Sequence, residues 1–212
     1  MKKNVKKHEW VDLGLPSGTL WATCNVGAEK PEEYGDYFAW GETEPKECYD
    51  WETYKHCAGS SKTQTKYNPD SEYGTVDDKA ELDTEDDAAF VNWGEDWCIP
   101  NMNQCTEILD DDNTTTKWTT RYGVHGSLII SKFNGKSIFL PAAGSRSGLF
   151  LHGADLHCCY WSHPLCSDNP FNAWGFGYGS GGYGFGYGPA NRRWGFSVRP
   201  VRSQVLRNQS AE

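Results

Sequence analysis

Nowhere does the sequence hold an apolar run approaching the length of a membrane span, so direct membrane insertion is not expected. Lys and Arg do not cluster anywhere after Lys7, and 20 basic against 29 acidic residues leave a net charge of −9. That balance argues against a phosphate-binding surface, hence no nucleic-acid partner, and the excess acid serves solubility. The basic start MKKNVKKHEW has no apolar segment behind it, so no standard export signal is expected and localisation stays open. Methionine is scarce, at 2, beside 10 tryptophans and 23 glycines, a balance that suits short strands and ordered loops better than a helical bundle. The eight cysteines include no CxxC pair, and without export reduced thiols are the default.

What is present fits one domain in 212 residues, over 10–202, with a flexible basic start at 1–9 and a flexible tail at 203–212. The organising stretch is NAWGFGYGSGGYGFGYGPANRRWGFSVRPVR from Asn172. Trp174, Phe176 and Tyr178, then Tyr183, Phe185 and Tyr187, alternate with glycines around Ser180-Gly181, which predicts a β-hairpin with every ring on one face. Glycine in a strand costs about 0.5 to 1 kcal/mol relative to alanine, so a core built elsewhere must hold it, with Trp194 to Val201 as anchoring strand. The rings read either as the core-facing half of two strands, leaving the glycines exposed, or as paratope-like contact area.

Earlier in the chain, Val11, Leu13 and Leu15 alternate before the turn Pro16-Ser17-Gly18, and Leu20-Trp21-Ala22-Thr23 resumes, a hairpin signature. A helical turn is expected at Pro31–Tyr34 and a strand at Asp36–Trp40, and residues 43–82 read as a long surface excursion. Thr84 and Asp87 have capping-box spacing for a helix over 85–93 that Gly94 can terminate. Asn101 is the expected N-cap of a second helix, with Met102, Cys105, Ile108 and Leu109 on one face. It ends in Asp110-Asp111-Asp112, which is either an exposed helix end or a calcium-attracting loop without EF-hand spacing. Asn134-Gly135 between Leu128–Ile130 and Ser137–Leu140 is a strong hairpin turn between two buried strands. Together these elements predict an α+β domain whose ends pair with each other.

His157, Cys158, Cys159, His163 and Cys166 form the densest group of soft ligands, yet adjacent cysteines match structural zinc spacing poorly, and no metal or cofactor is expected. GYGSGGYG lacks the helix and lysine of a phosphate loop, and no Ser-His-Asp order is arguable. Enzymatic activity is not expected.

Six stretches carry a resemblance: WVDLGLPSGTLWATCNVGA from Trp10, GDYFAWGE from Gly35, NWGEDWCIP from Asn92, SIFLPAAG from Ser137, YWS at Tyr160 and GFSVRPV from Gly195. In this order, from Trp10 to Arg202, they resemble the major paralogous domain family of gut bacteria. Cys98, Ile99 and Asn101 stand where that family more usually has Arg, Met and Thr. The resemblance implies a C-type lectin-like fold of the formylglycine-generating-enzyme branch: two short helices packed on antiparallel sheets, with paired termini and long ordered loops. Some members are variable proteins of diversity-generating retroelements, in which bases opposite template adenines are substituted near the C-terminus.

Asn codons randomised at their adenines encode many residue types but never Lys, Glu, Gln, Met or Trp. From Leu149 to Arg193 there is no Lys, Glu, Gln or Met, whereas the first 148 residues hold 13 Lys, 13 Glu, 2 Gln and 2 Met. The tryptophans of this window, Trp161 and Trp174, sit in matched motifs. A glycine-aromatic low-complexity loop explains residues 175–188 but not LFLHGADLHCCYWSHPLCSDNPF. The expectation is therefore a ligand-binding protein with a variable region at 149–193. Its partner would be a protein or glycan on a cell or host surface. The candidate surface is Phe150, His152, Asp155, His157, Cys158, Cys159, His163, Leu165, Cys166, Asp168, Phe171, Arg193 and the hairpin glycines Gly175, Gly177, Gly179, Gly182, Gly184 and Gly186. Trp21, Trp161, Trp174 and Phe196 are the expected scaffold, with both window tryptophans buried. The alternatives are a formylglycine-generating type of enzyme or an undiversified adhesin module.

Overall fold

The computed structural model describes residues 8–180 and 186–203. It is an α+β domain of mostly antiparallel sheets with two short helices. β1 (Trp10–Asp12) and β2 (Thr19–Ala22) form the first hairpin, closed by Gly18 N–H donating to Leu15 O at 2.9 Å. β11 (Val201–Ser203) adds antiparallel to β2, with Val201 opposite Trp21, so the two ends of the described chain share one sheet.

Arg199 fastens this junction from within: fully buried, it donates to Asn25 Oδ1 at 2.8 Å, Ala22 O at 3.0 Å, Thr23 O at 2.8 Å and Phe139 O at 3.0 Å. The closing run from Trp194 is not a continuous strand before Val201. It shares its bonds among three neighbours, through bridges of Phe196 with Phe38, Ser197 with Tyr160 and Gly195 with Arg146, and Pro200 has no N–H to give.

Asp87 caps α1 (Ala88–Trp93), accepting from the N–H groups of Ala89 and Phe90. Thr84, expected as the cap, and residues 85–86, expected as the helix start, instead form a separate 3-10 turn. α2 (Met102–Leu109) has the full capping box, Asn101 exchanging bonds with Gln104, and it buries Cys105 and Ile108 while Met102 is exposed.

β3 (Thr114–Arg121), β4 (Val124–Ser131) and β5 (Ser137–Pro141) form a meander. Asn134-Gly135 makes the second of its turns, as expected, and Tyr122-Gly123, both at positive φ, makes the first. Residues 31–34 form a turn, not a helix, and Asp36–Trp40 contributes a single bridge at Phe38.

Residues 43–82 are irregular as expected, but they are not a surface excursion. They bury Tyr49, Tyr54, His56, Gln64, Tyr67 and Asn68. Buried Arg192 reaches into them, donating to Tyr67 O at 2.8 Å, Lys66 O at 3.1 Å and the Gln64 amide oxygen. Buried Asp86 accepts from Lys55, Lys66 and the Tyr67 hydroxyl at 2.6, 2.6 and 2.7 Å. Polar side chains thus supply the bonds that strands supply elsewhere.

Candidate functional site

The glycine-aromatic hairpin forms where the sequence puts it. β9 (Asn172–Gly179) lies between β8 (His157–Leu165) and β10 (Gly186–Asn191), with Tyr187 opposite Phe176. Residues 181–185, which include Gly182, Tyr183, Gly184 and Phe185, lie outside the described residues.

Both faces of this sheet are covered, so the glycine face is not the exposed half it was expected to be. Cys158, Tyr160, Phe176 and Tyr178 pack with Trp21, Ile108 and Ile129 on one side. Cys159 and Trp161 pack on the other with Phe196, the Trp161 and Phe196 rings stacked at 4.3 Å. A Cβ on Gly175 would stand 2.8 Å from Tyr160 O and 3.3 Å from Phe196 Cε2, so this glycine is there for close packing. Gly177 is buried too; Gly179 and Gly186 are half-buried.

Four more candidates are interior rather than surface residues. Cys158, Cys159, Leu165 and Cys166 are all buried; for the first two, strict alternation over two covered faces leaves no outward position in mid-strand. Trp174 departs in the opposite sense: it is half-buried, stacked on Tyr187 with ring centroids 5.0 Å apart.

The remaining candidates separate to the two ends of β8. At its start, β6 (Ser145–Ser147) and β7 (Phe150–His152) make a hairpin whose tip is Gly148-Leu149. Leu149, Phe150, Leu151 and Leu156 are 66%, 69%, 41% and 51% exposed, and His152, Asp155 and His157 are exposed beside them. Beneath these side chains the backbone is pinned. Gly148 exchanges bonds with Tyr49 at 2.9 Å each way, Asp155 N–H donates to Ala142 O at 2.8 Å, and Ser180 N–H donates to Leu156 O at 2.9 Å. Asp155, at φ +64, takes the left-handed conformation that Asp tolerates, and its carboxylate accepts from Tyr34 Oη at 3.0 Å. Burial and that carboxylate push the Tyr34 phenol up to about 12, so it stays a donor. The result is an apolar, outward-pointing ridge on a fixed frame, the kind of patch that marks an interaction site.

At the far end of β8, roughly 25 Å away at about 3.3 Å per residue, lie the others. His163 Nδ1 is 2.7 Å from Glu81 Oε2, Asp168 is exposed, and Phe171 leans on Tyr73. Leu165, Cys166, Asp168 and Trp174 line a shallow cleft of about 270 Å³ there. Arg193 is absent from this far end: beneath the ridge it donates to Tyr49 O at 2.9 Å, the carbonyl that Gly148 N–H also reaches, with its guanidinium over Trp51, a packing role. The candidate set is therefore not clustered on one face.

A larger cleft of about 390 Å³ adjoins the ridge, since Gly179 pairs with His157. Gly177, Gly179 and Gly186 line it together with Tyr178, Leu109, Asp111, Thr116, Trp118 and Ser127. Sequence reasoning missed Thr116 and Trp118, although the alternation and β-branching of TTTKWTT mark a strand.

Among the described residues no three His, Cys, Asp or Glu side chains converge on a common point. Cys158 and Cys159 point to opposite faces, and burial pushes each thiol up to about 12. No family model, curated protein or solved structure matches the chain.

Proposed function

We propose that this is a ligand-binding protein in which a C-type lectin-like scaffold displays a retroelement-diversified surface, the Leu149–His157 ridge being its contact surface. One observation carries the reading. The exposed side chains Leu149, Phe150, Leu151, His152, Asp155, Leu156 and His157 belong to the window free of Lys, Glu, Gln and Met, and randomised Asn codons can encode every one of them. The first 148 residues hold 30 of the four missing types, so an even share would place about nine in the window. Variation at the ridge positions other than Asp155 leaves the frame untouched, because the frame is held by the backbone hydrogen bonds of Gly148, Asp155 and Ser180. Apolar side chains on a rigid hairpin suit non-covalent contact with a protein or glycan on another cell or a host surface, at low ordering cost. A thiol enzyme of the formylglycine-generating type is disfavoured, since desolvation pushes the thiols of half-buried Cys98 and buried Cys158 and Cys159 up to about 12, far from the thiolate that such chemistry needs.

The adjoining DNA tests the reading. A near-identical repeat of the segment encoding 149–193, differing mainly at adenines and accompanied by a reverse-transcriptase gene, is expected. Flanking sequence with neither removes the diversification claim.

A further inference from the structure

β3 is an edge strand: among the described residues β4 is the one strand paired with it. The two-residue turn Tyr122-Gly123 makes Arg121 and Val124 the hydrogen-bonded closing pair. Counting back along the antiparallel ladder, Thr119, Lys117 and Thr115 bond to β4, while the N–H and C=O groups of Thr120, Trp118 and Thr116 point away from it. Those three residues have no backbone hydrogen bond to another described residue. Their register also fixes the side chains. Thr116 and Trp118 stand opposite Ile129 and Ser127, so they turn to the cleft that Leu109 and Tyr178 also line, Trp118 half-buried and Thr116 exposed at its rim. Lys117 points to the other face and is exposed.

We propose that the outer edge of β3 receives an extended polypeptide segment of a partner protein as an additional antiparallel strand. Residues of that segment opposite Thr116 and Trp118 would exchange backbone bonds with them and turn their side chains into the cleft of about 390 Å³. Residues opposite Thr115, Lys117 and Thr119 would lie over Lys117, so the segment that fits alternates apolar and acidic residues. A lysine in mid-strand is a common guard against edge pairing. Here it repels a basic strand and favours an acidic one, whose carboxylates pair with its ammonium. Thr114–Arg121 lies outside the 149–193 window, so the inference does not rest on the diversified reading of the ridge.

The test uses the full chain and a short acetylated, amidated peptide of alternating valine and glutamate, followed by amide hydrogen exchange and amide NMR shifts. The free protein should exchange freely at Thr116, Trp118 and Thr120. Peptide should slow those three amides at least about tenfold, as expected for newly bonded N–H groups. The same peptide N-methylated at its valines should have no effect, and Lys117→Glu should reverse the preference toward a valine-lysine peptide. Protection of the three amides before peptide is added, no slowing at millimolar peptide, or equal slowing by the N-methylated peptide would overturn the proposal. Ridge binding is read separately, so losing one site does not remove the other.

Discussion

His56 is buried beside charge and yet held neutral, which makes the stability of the 43–82 segment depend on pH. Its Nε2 lies 2.8 Å from Gly41 O and 3.7 Å from Asp86 Oδ1, with Tyr54 and Tyr67 edge-on at 5.7 and 5.2 Å. The nearby carboxylate favours protonation, but Asp86 is already satisfied by Lys55, Lys66 and Tyr67, and burial wins, lowering the imidazole to about 4. An unfolded chain protonates it near 6.5, so between those values the unfolded state holds one proton more and stability falls as pH falls. At about 1.4 kcal/mol per unit, moving from pH 7 to pH 5 should cost on the order of 2 kcal/mol. Asp86 does not confound this window, because its lysine and tyrosine partners, outweighing burial, keep it at about 2. Urea unfolding at both pH values, for the native chain and for His56→Gln, which retains a donor toward Gly41 O, isolates the contribution. The native chain should lose about 2 kcal/mol more than the variant between the two. Equal losses would mean that His56 titrates normally and that the packing described around it is wrong.

Trp161→Ala should cost about 3 to 5 kcal/mol in the same assay, because it empties a fully buried site and leaves the stacked Phe196 without its partner, whereas Phe150→Ser should fall within about 0.5 kcal/mol. Arg199→Met should cost about 3 kcal/mol or more by stranding the carbonyls of Ala22, Thr23 and Phe139, and a melt showing no loss would exclude its role as the clasp between the chain ends.

Local signals were legible where chain geometry alone decides. The two hairpin turns at Pro16-Ser17-Gly18 and Asn134-Gly135, the Asn101 cap and the ring-glycine alternation of β9 all appear as read. Pairing of the ends was legible through GFSVRPV, though not the role of its arginine, since a buried cation held by carbonyls leaves no sequence pattern. Residues 43–82 misled because a segment tied by Asp86, Arg192 and buried tyrosines is as polar as a solvated loop. The candidate surface was half legible. Composition marks the window, but it cannot tell Cys158 from His157, which differ in that His157 stands at the exposed start of β8 and Cys158 one residue further in, under a covered face. Gly175 misled similarly, since a glycine serving close approach and one left bare look the same in sequence.

The central claim is that the ridge can vary while the strand behind it cannot. Two libraries measure this directly by the protease-resistant fraction of displayed chains. One randomises Leu149, Phe150, Leu151, His152, Leu156 and His157, and the other randomises Cys158, Cys159, Tyr160, Trp161 and Leu165. Most members of the first should remain folded and few of the second, because exposed substitutions cost little and buried ones open cavities or overpack the core. A first library that is mostly unfolded, or a second that survives as well as the first, would contradict the account.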